Sequence, residues 1–359
     1  MALKIKKDIR EAATLPASFY RDADLFQNMK EGIFLKSWQW VSDNPFLGSP
    51  DTLYPFFFME HFLDEPLILV KHDEGIRCLS NVCTHRGNIM IHHPSRAKKI
   101  ICGYHGRRFN TQGEMEFMPE FEEARDFPRA CDHLPSFTVN LWKNHVFVGL
   151  EPAFDIASAL RTMEERIGFL PLGQFKRDTK RSRTYLVNAH WALYCDNYLE
   201  GFHIPFVHHD LNDALEYGDY VTETYDHMVL QIGYCGEDQD RFELPEGHVD
   251  YGKNVAAYYY WVFPNMMFNF YPWGLSVNIV KPLALDRTKV SFISFVFDES
   301  KIDVGAGADI DKVEREDEFV VENVHRGLQS RYYQAGRFSP KREKGVHHFH
   351  SLLAHYMLR

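Results

Sequence analysis

The chain has 359 residues, 45% hydrophobic and 15% aromatic, with a formal net charge of −10. That length suits roughly two domains or one large one, with ample apolar material for a core and no segment of disordered composition. The acidic balance argues against nucleic acid as the main partner, because a phosphate-binding surface needs clustered Lys and Arg.

The opening stretch, MALKIKKDIREAATL, lacks the apolar core of a secretory signal. No run approaches the roughly 18 apolar residues of a membrane span, so no membrane partner is expected. Of the six cysteines, two belong to the motif below, and Cys78, Cys131, Cys195 and Cys235 show no pairing pattern. A reducing cytoplasm is the expected compartment.

Residues 1–38 read as an N-terminal helical segment packed on the body of the protein. Phe19, Leu25, Met29, Ile33 and Phe34 recur at helical spacing behind Ser18 or Asp22 as caps. Residues 39–152 change texture: PLILVKH, KKIICGYH, FTVNLW and HVFVGL are short β-rich runs separated by turn residues, a small antiparallel β domain. Residues 153–359 form a larger domain. It opens with a helix in SALRTMEERIG and a strand-like TYLVNAHWALY, and continues into a β-rich region over about 220–298. An acidic helix over about 310–333 and a last helix in GVHHFHSLLAHYMLR complete it. The fold class is α+β, a small antiparallel β domain plus a larger domain with a central antiparallel sheet flanked by helices.

Within the first domain stand two pairs, Cys83-x-His85 and Cys102-x-x-His105, sixteen residues apart. Two thiolates with two imidazoles suit tetrahedral zinc or a [2Fe–2S] cluster with one iron on sulfur and one on nitrogen.

A second constellation is Glu200-x-x-His203-x4-His208. On a helix, Asp196, Glu200 and His203 share a face with Asn197 beside them, amid residues too apolar for an exposed helix. Pro205 should kink the chain and bring His208 beside His203. Two imidazoles need a carboxylate to make the facial triad of a non-haem Fe(II) oxygenase. In the acidic helix Glu314, Asp317, Val321, Val324 and Leu328 share one stripe, which makes Asp317 the candidate, with Glu316 pointing away. His209 competes with His208. The remaining histidines read as structural.

Both constellations in this order and at these distances resemble the α subunits of Rieske non-haem iron oxygenases, nearest the choline monooxygenase-like branch through CDNYLEGFHIPFVH and HRGLQSRYYQAGRFSPKREKGVHHFH. The resemblance implies a Rieske [2Fe–2S] cluster on Cys83, Cys102, His85 and His105, and a mononuclear Fe(II) on His203, His208 and Asp317. It gives Glu200 the place of the family's bridging carboxylate, joining His203 to His105 of the next subunit in a homotrimer. NAD(P)H electrons would arrive through a separate reductase or ferredoxin, since no GxGxxG loop is present here. O₂ and a small organic molecule would be the substrates, hydroxylated or oxidatively demethylated. A quaternary or N-methyl amine would suit a cation–π cage drawn from Tyr258, Tyr260, Trp261, Phe268, Phe270 and Trp273. Two departures stand out: Glu200 replaces the usual Asp, and Arg107 the usual Trp. The competing readings are a ring-hydroxylating dioxygenase with the same iron sites, a zinc-stabilised binding protein, and a pure electron carrier.

Overall fold

Contacts divide the chain into two units, Leu35–Ala153 and the segment up to Phe34 joined with that from Phe154 onward. The computed structural model describes residues 3–44, 47–308 and 310–358.

The first unit is built on a seven-stranded sheet. Its strands run, edge to edge, Trp38–Asp43, His145–Gly149, Ser136–Trp142, Gly75–Ser80, Glu65–His72, Thr52–Phe58 and Ser95–Arg96. A three-stranded sheet, Lys99–Ile101, Arg108–Asn110 and Met115–Phe117, accompanies it. Leu53, Ile68, Val70, Leu79, Ile100 and Phe109 bury one core, and Cys83 and Cys102 lie in that same cluster. Apolar packing thus holds the cysteine loops, because the adjoining side chains are withdrawn from water.

The second unit has a seven-stranded antiparallel sheet. The order is Lys176–Val187, Arg287–Val296, Gly274–Ala284, Met266–Tyr271, Val255–Val262, Met228–Tyr234 and Val221–Tyr225. The helices are α1 (Ala23–Met29), α2 (Ile156–Ile167), α3 (Trp191–Tyr198), α4 (Ile204–Val207), α5 (His209–Ala214), α6 (Ile310–Gly327) and α7 (Lys344–Met357). Trp191 anchors α3, with Phe34 at 5.0 Å and Phe349 at 5.9 Å between ring centroids. Burying a ring of this size is worth about 3 kcal/mol. His350 on α7 ties the same helix by polar contacts. Its Nδ1 accepts the Leu15 N–H at 3.1 Å and its Nε2 donates to Asp196 at 2.8 Å. Its reading as a structural histidine fits these contacts.

Three local expectations change. The N-terminal segment is three short pieces, the 3-10 turn Ala17–Tyr20, α1 and a π-helical turn Lys30–Phe34, rather than one helix. The strand-like stretch from Thr184 splits at Val187, and His190 caps α3 by accepting the Ala192 N–H at 3.2 Å. A side-chain acceptor at that point favours helix over strand. Pro205 does not kink a continuous helix. The chain breaks after Tyr198, and Pro205 sits in the first turn of α4, where its missing N–H costs nothing.

Candidate metal centres

The two Cys-His pairs occupy matching tight turns. Gly87 N–H donates to the Cys83 carbonyl and Gly106 N–H to the Cys102 carbonyl, each at 3.0 Å. Both glycines adopt left-handed backbone, φ +71° and +75°, which a side chain would oppose. Cys83 and Cys102 are buried free thiols, and the rings of His85 and His105 stand 4.8 Å apart, edge to face. His85 Nδ1 is buried with no hydrogen-bond partner among the described residues. Burial opposes ionisation of Cys102, yet backbone N–H groups of Tyr104 and His105 and the Asn88 amide hold its pKa down. Two sulfurs and two imidazoles brought together in this way fit a [2Fe–2S] cluster.

Arg107 has a structural explanation. Its side chain is buried beneath these turns, where Nη1 donates to Thr84 Oγ1 at 2.7 Å and Nη2 to Asp132 Oδ1 at 2.9 Å. The guanidinium also lies over the Phe127 ring, 5.4 Å from its centroid. Although burial works the other way, the Arg129 N–H and Arg107 together hold the Asp132 carboxyl below the usual range. The buried cation is therefore paired, as burial of a charge requires.

In the second unit α3, the loop after it, α4 and α6 converge. His203 Nε2 lies 3.5 Å and His208 Nε2 3.0 Å from Asp317 Oδ1. One donor atom from each residue falls within 4.8 Å of the others. The opposite ring nitrogens are engaged elsewhere: His203 Nδ1 with Glu200 Oε1 and His208 Nδ1 with Glu316 Oε2, each at 2.7 Å. Both Nε2 atoms therefore turn towards the shared Asp317 Oδ1, and the set is a two-histidine, one-carboxylate triad that fits Fe(II). Asn197 Nδ2 donates to Asp317 Oδ1 at 2.6 Å and fixes that carboxylate. Burial disfavours charge on His208, but Asp317 and Glu316 hold its pKa above the ordinary value. His209 is exposed and stays outside the cluster.

Glu316 corrects the sequence reading, which turned it away from the site. The helical wheel placed it off the buried stripe, but His208 approaches α6 from that very side. Val324, expected on the stripe, is exposed.

A cavity opens beside the triad, lined by Glu200, His203, His208 and Asp317 and by the aromatic rings of Tyr194, Tyr198, Tyr220, Tyr259, Tyr271 and Phe292. None of the six aromatics proposed for a cage lines it. Tyr258 pairs with Phe270 and Tyr260 with Phe268 on the opposite face of the sheet, because neighbouring residues alternate. Trp261 packs under α7 against Phe349, and Trp273 lines an adjoining cavity that shares Ser276, Phe292 and Ile310 with this one. The face that meets the triad carries the cross-strand row Gln231, Tyr259, Asn269 and Ser276. Their odd–even phase was readable from sequence, but which phase faces the site was not.

Two family models match this chain. The ring hydroxylating alpha subunit catalytic domain covers residues 174–359, more than half of the chain, and the Rieske [2Fe–2S] domain covers residues 55–137. The chain belongs to the ring-hydroxylating α-subunit family of Rieske oxygenases. It is an oxidoreductase of the non-haem iron class, with a [2Fe–2S] cluster and a mononuclear iron as cofactors.

Among relatives of this Rieske oxygenase, chloroplastic choline monooxygenase of Arabidopsis thaliana is 29% identical, covering 98% of this chain and 84% of the relative. The carnitine monooxygenase oxygenase subunit of Escherichia coli is 27% identical, covering 96% and 94%. A solved quaternary ammonium Rieske monooxygenase superposes with a TM-score of 0.79 at 23% identity, over 99% of this chain and 100% of that one. Naphthalene 1,2-dioxygenase superposes with a TM-score of 0.72 at 16% identity, over 99% and 95%. Both share the fold, α+β with antiparallel sheets. No helix among the described residues is long and apolar enough to cross a membrane.

Proposed function

We propose that this chain is the terminal oxygenase that oxidises a small quaternary or N-methyl amine, with O₂ and NAD(P)H-derived electrons delivered by a separate reductase or ferredoxin. The observation that carries the reading is the convergence of His203 Nε2, His208 Nε2 and Asp317 Oδ1 on one wall of a tyrosine-lined cavity. Aromatic faces attract methylated cations, and the choline and carnitine relatives act on such molecules by name.

Residues 39–152 would serve as the Rieske domain, with Cys83, Cys102, His85 and His105 as cluster ligands. Residues 153–359, with the N-terminal segment up to Phe34 packed on them and Trp38 instead opening a strand of the first unit, would be the catalytic domain, where His203, His208 and Asp317 hold the mononuclear iron. The iron, when bound, supplies the oxygen-activating redox chemistry. Glu200 orients the His203 ring by accepting its Nδ1–H, and the backbone N–H groups of Phe202 and His203 donate to its other oxygen. Oε1 retains a lone pair, so Glu200 could accept a second N–H from His105 of a neighbouring subunit, as a bridging acid must.

That bridge calls for a ring of subunits, and a homotrimer is the assembly proposed. Exposed Phe206 and Phe319 line one surface hollow beside the iron site, and Tyr104 next to His105 is exposed too. Exposed apolar surface of this kind marks contact sites. The cysteines are all free, which supports a reducing, cytoplasm-like compartment.

The test is iron and acid-labile sulfide per chain, with visible and EPR spectra, followed by an amine screen scored by coupled NADH and O₂ consumption. About three irons and two sulfides per chain are expected. About two irons would point to an electron carrier, and a colourless zinc protein would overturn the reading.

A further inference from the structure

Glu314 is the most demanding side chain in the cavity. It lies one turn before Asp317 on α6, is only 3% exposed, and lines the cavity directly. Its Oε2 accepts the Tyr194 hydroxyl, while Oε1 is buried without a hydrogen-bond partner among the described residues. Leaving such an oxygen unmet costs about 1–3 kcal/mol, and burial, with Asp317 and Glu318 nearby, pushes the Glu314 pKa well above the ordinary carboxyl value in the empty cavity. The other two acids of the cavity are engaged, Glu200 with His203 and Asp317 with His208 and Asn197. Glu314 is the acid held in reserve.

Gln231 repeats the pattern. Its Nε2 donates to the Tyr198 carbonyl at 2.6 Å, and its Oε1 is buried and unpartnered in the same cavity. No Lys or Arg stands among the described residues of the lining, where the only basic groups are the two imidazoles of the triad. The cavity thus offers a spare carboxyl oxygen, a spare amide oxygen and tyrosine faces, with no cationic side chain of its own.

Building on the methylated-amine reading above, we propose that Glu314 is the anchor for the ammonium group of the substrate, and that this substrate is a simple cation without a carboxylate. A protonated N-methyl amine donates its N–H to Oε1; a quaternary ammonium places its charge-bearing methyl groups against Oε1 and the tyrosine rings. An anionic tail held within this cavity meets no Lys or Arg side chain, only neutral amide and hydroxyl donors and the acids themselves, so zwitterions are discriminated against unless the tail reaches the iron or the arginines of the adjoining cavity.

The experiment is calorimetric binding to the iron-loaded enzyme under anaerobic conditions. The probes are choline, its neutral carbon isostere 3,3-dimethylbutan-1-ol, and glycine betaine. Choline is expected to bind at least about tenfold more tightly than either. In Glu314→Gln, which keeps an acceptor for Tyr194, the margin of choline over the isostere should vanish while the isostere binds as before. If Glu314→Gln retains the margin, the anchor is elsewhere and the amine reading survives. If the native enzyme shows no preference for choline over the isostere, both fail. Glycine betaine binding as tightly as choline overturns the exclusion of zwitterions. Independently of any variant, a crystal structure of the native enzyme with trimethylammonium should place nitrogen within about 4 Å of Glu314 Oε1; nitrogen elsewhere in the cavity overturns the assignment.

Discussion

Glu316 Oε2 lies 2.7 Å from His208 Nδ1, while the Nε2 of the same ring meets Asp317 at 3.0 Å. Successive residues of α6 thus grip both sides of one imidazole. A carboxylate on the far nitrogen of a metal-ligating histidine fixes its tautomer and raises its basicity, and removing it lowers metal affinity about 10- to 100-fold. Glu316→Gln should therefore lose mononuclear iron on dialysis against a weak chelator while its cluster absorbance stays at the native level. Equal iron retention in variant and native enzyme would deny Glu316 this role.

Arg107 and Asp132 make a different prediction. Breaking a buried pair strands one charge, at a cost of about 3–5 kcal/mol. Asp132→Ala should sharply lower the unfolding temperature of the unit spanning Leu35–Ala153 and accelerate loss of the cluster colour. The double variant Arg107→Met/Asp132→Ala removes both charges and should recover much of that loss. A single variant as stable as the native protein would mean that the pair contributes nothing.

Legibility in the sequence followed locality. Cys83, His85, Cys102 and His105 lie on two short turns, so their spacing alone exposes them. Asp317 emerged from the stripe of α6 because a helix face turned to the body of a protein leaves a periodic trace. Glu316 left no such trace, since what it faces is α4 and the junction of α4 with α5, where His208 stands, rather than the main core. Asp132, the partner of Arg107, is 25 residues away and belongs to a separate turn. The aromatic cavity wall was half legible: strand alternation divides Tyr258 from Tyr259, but only the packed helices decide which of the two meets the site.

The surface hollow between α4 and α6 carries Phe206 at 74% exposure and Phe319 at 68%. Rings this exposed near a metal site cost solubility unless another subunit covers them. Phe206→Asp and Phe319→Asp should each shift the mass measured by light scattering from the assembly towards the monomer, with coupled turnover falling in parallel. Retention of the native mass in both variants would place the subunit contact elsewhere.

Acid sensitivity should trace to His190. The ring is fully buried against Phe19, Tyr20 and Phe26, with Nδ1 committed to capping α3, and burial pushes its pKa down to about 3. Below the ordinary histidine value near 6.5 the unfolded chain takes up a proton that the folded ring refuses. The stability tied to His190 is therefore complete above about pH 6.5 and is lost as the pH falls towards 3, by about 2 kcal/mol between pH 7 and 5. Asn also caps helices but does not titrate. His190→Asn should be less stable at every pH, through lost ring packing, yet show a shallower decline on acidification in urea unfolding of the iron-loaded enzyme. Protonation of the other histidines affects both proteins alike, so the difference in slope reads His190 alone. Parallel pH profiles would show that the buried ring does not govern the acid limb.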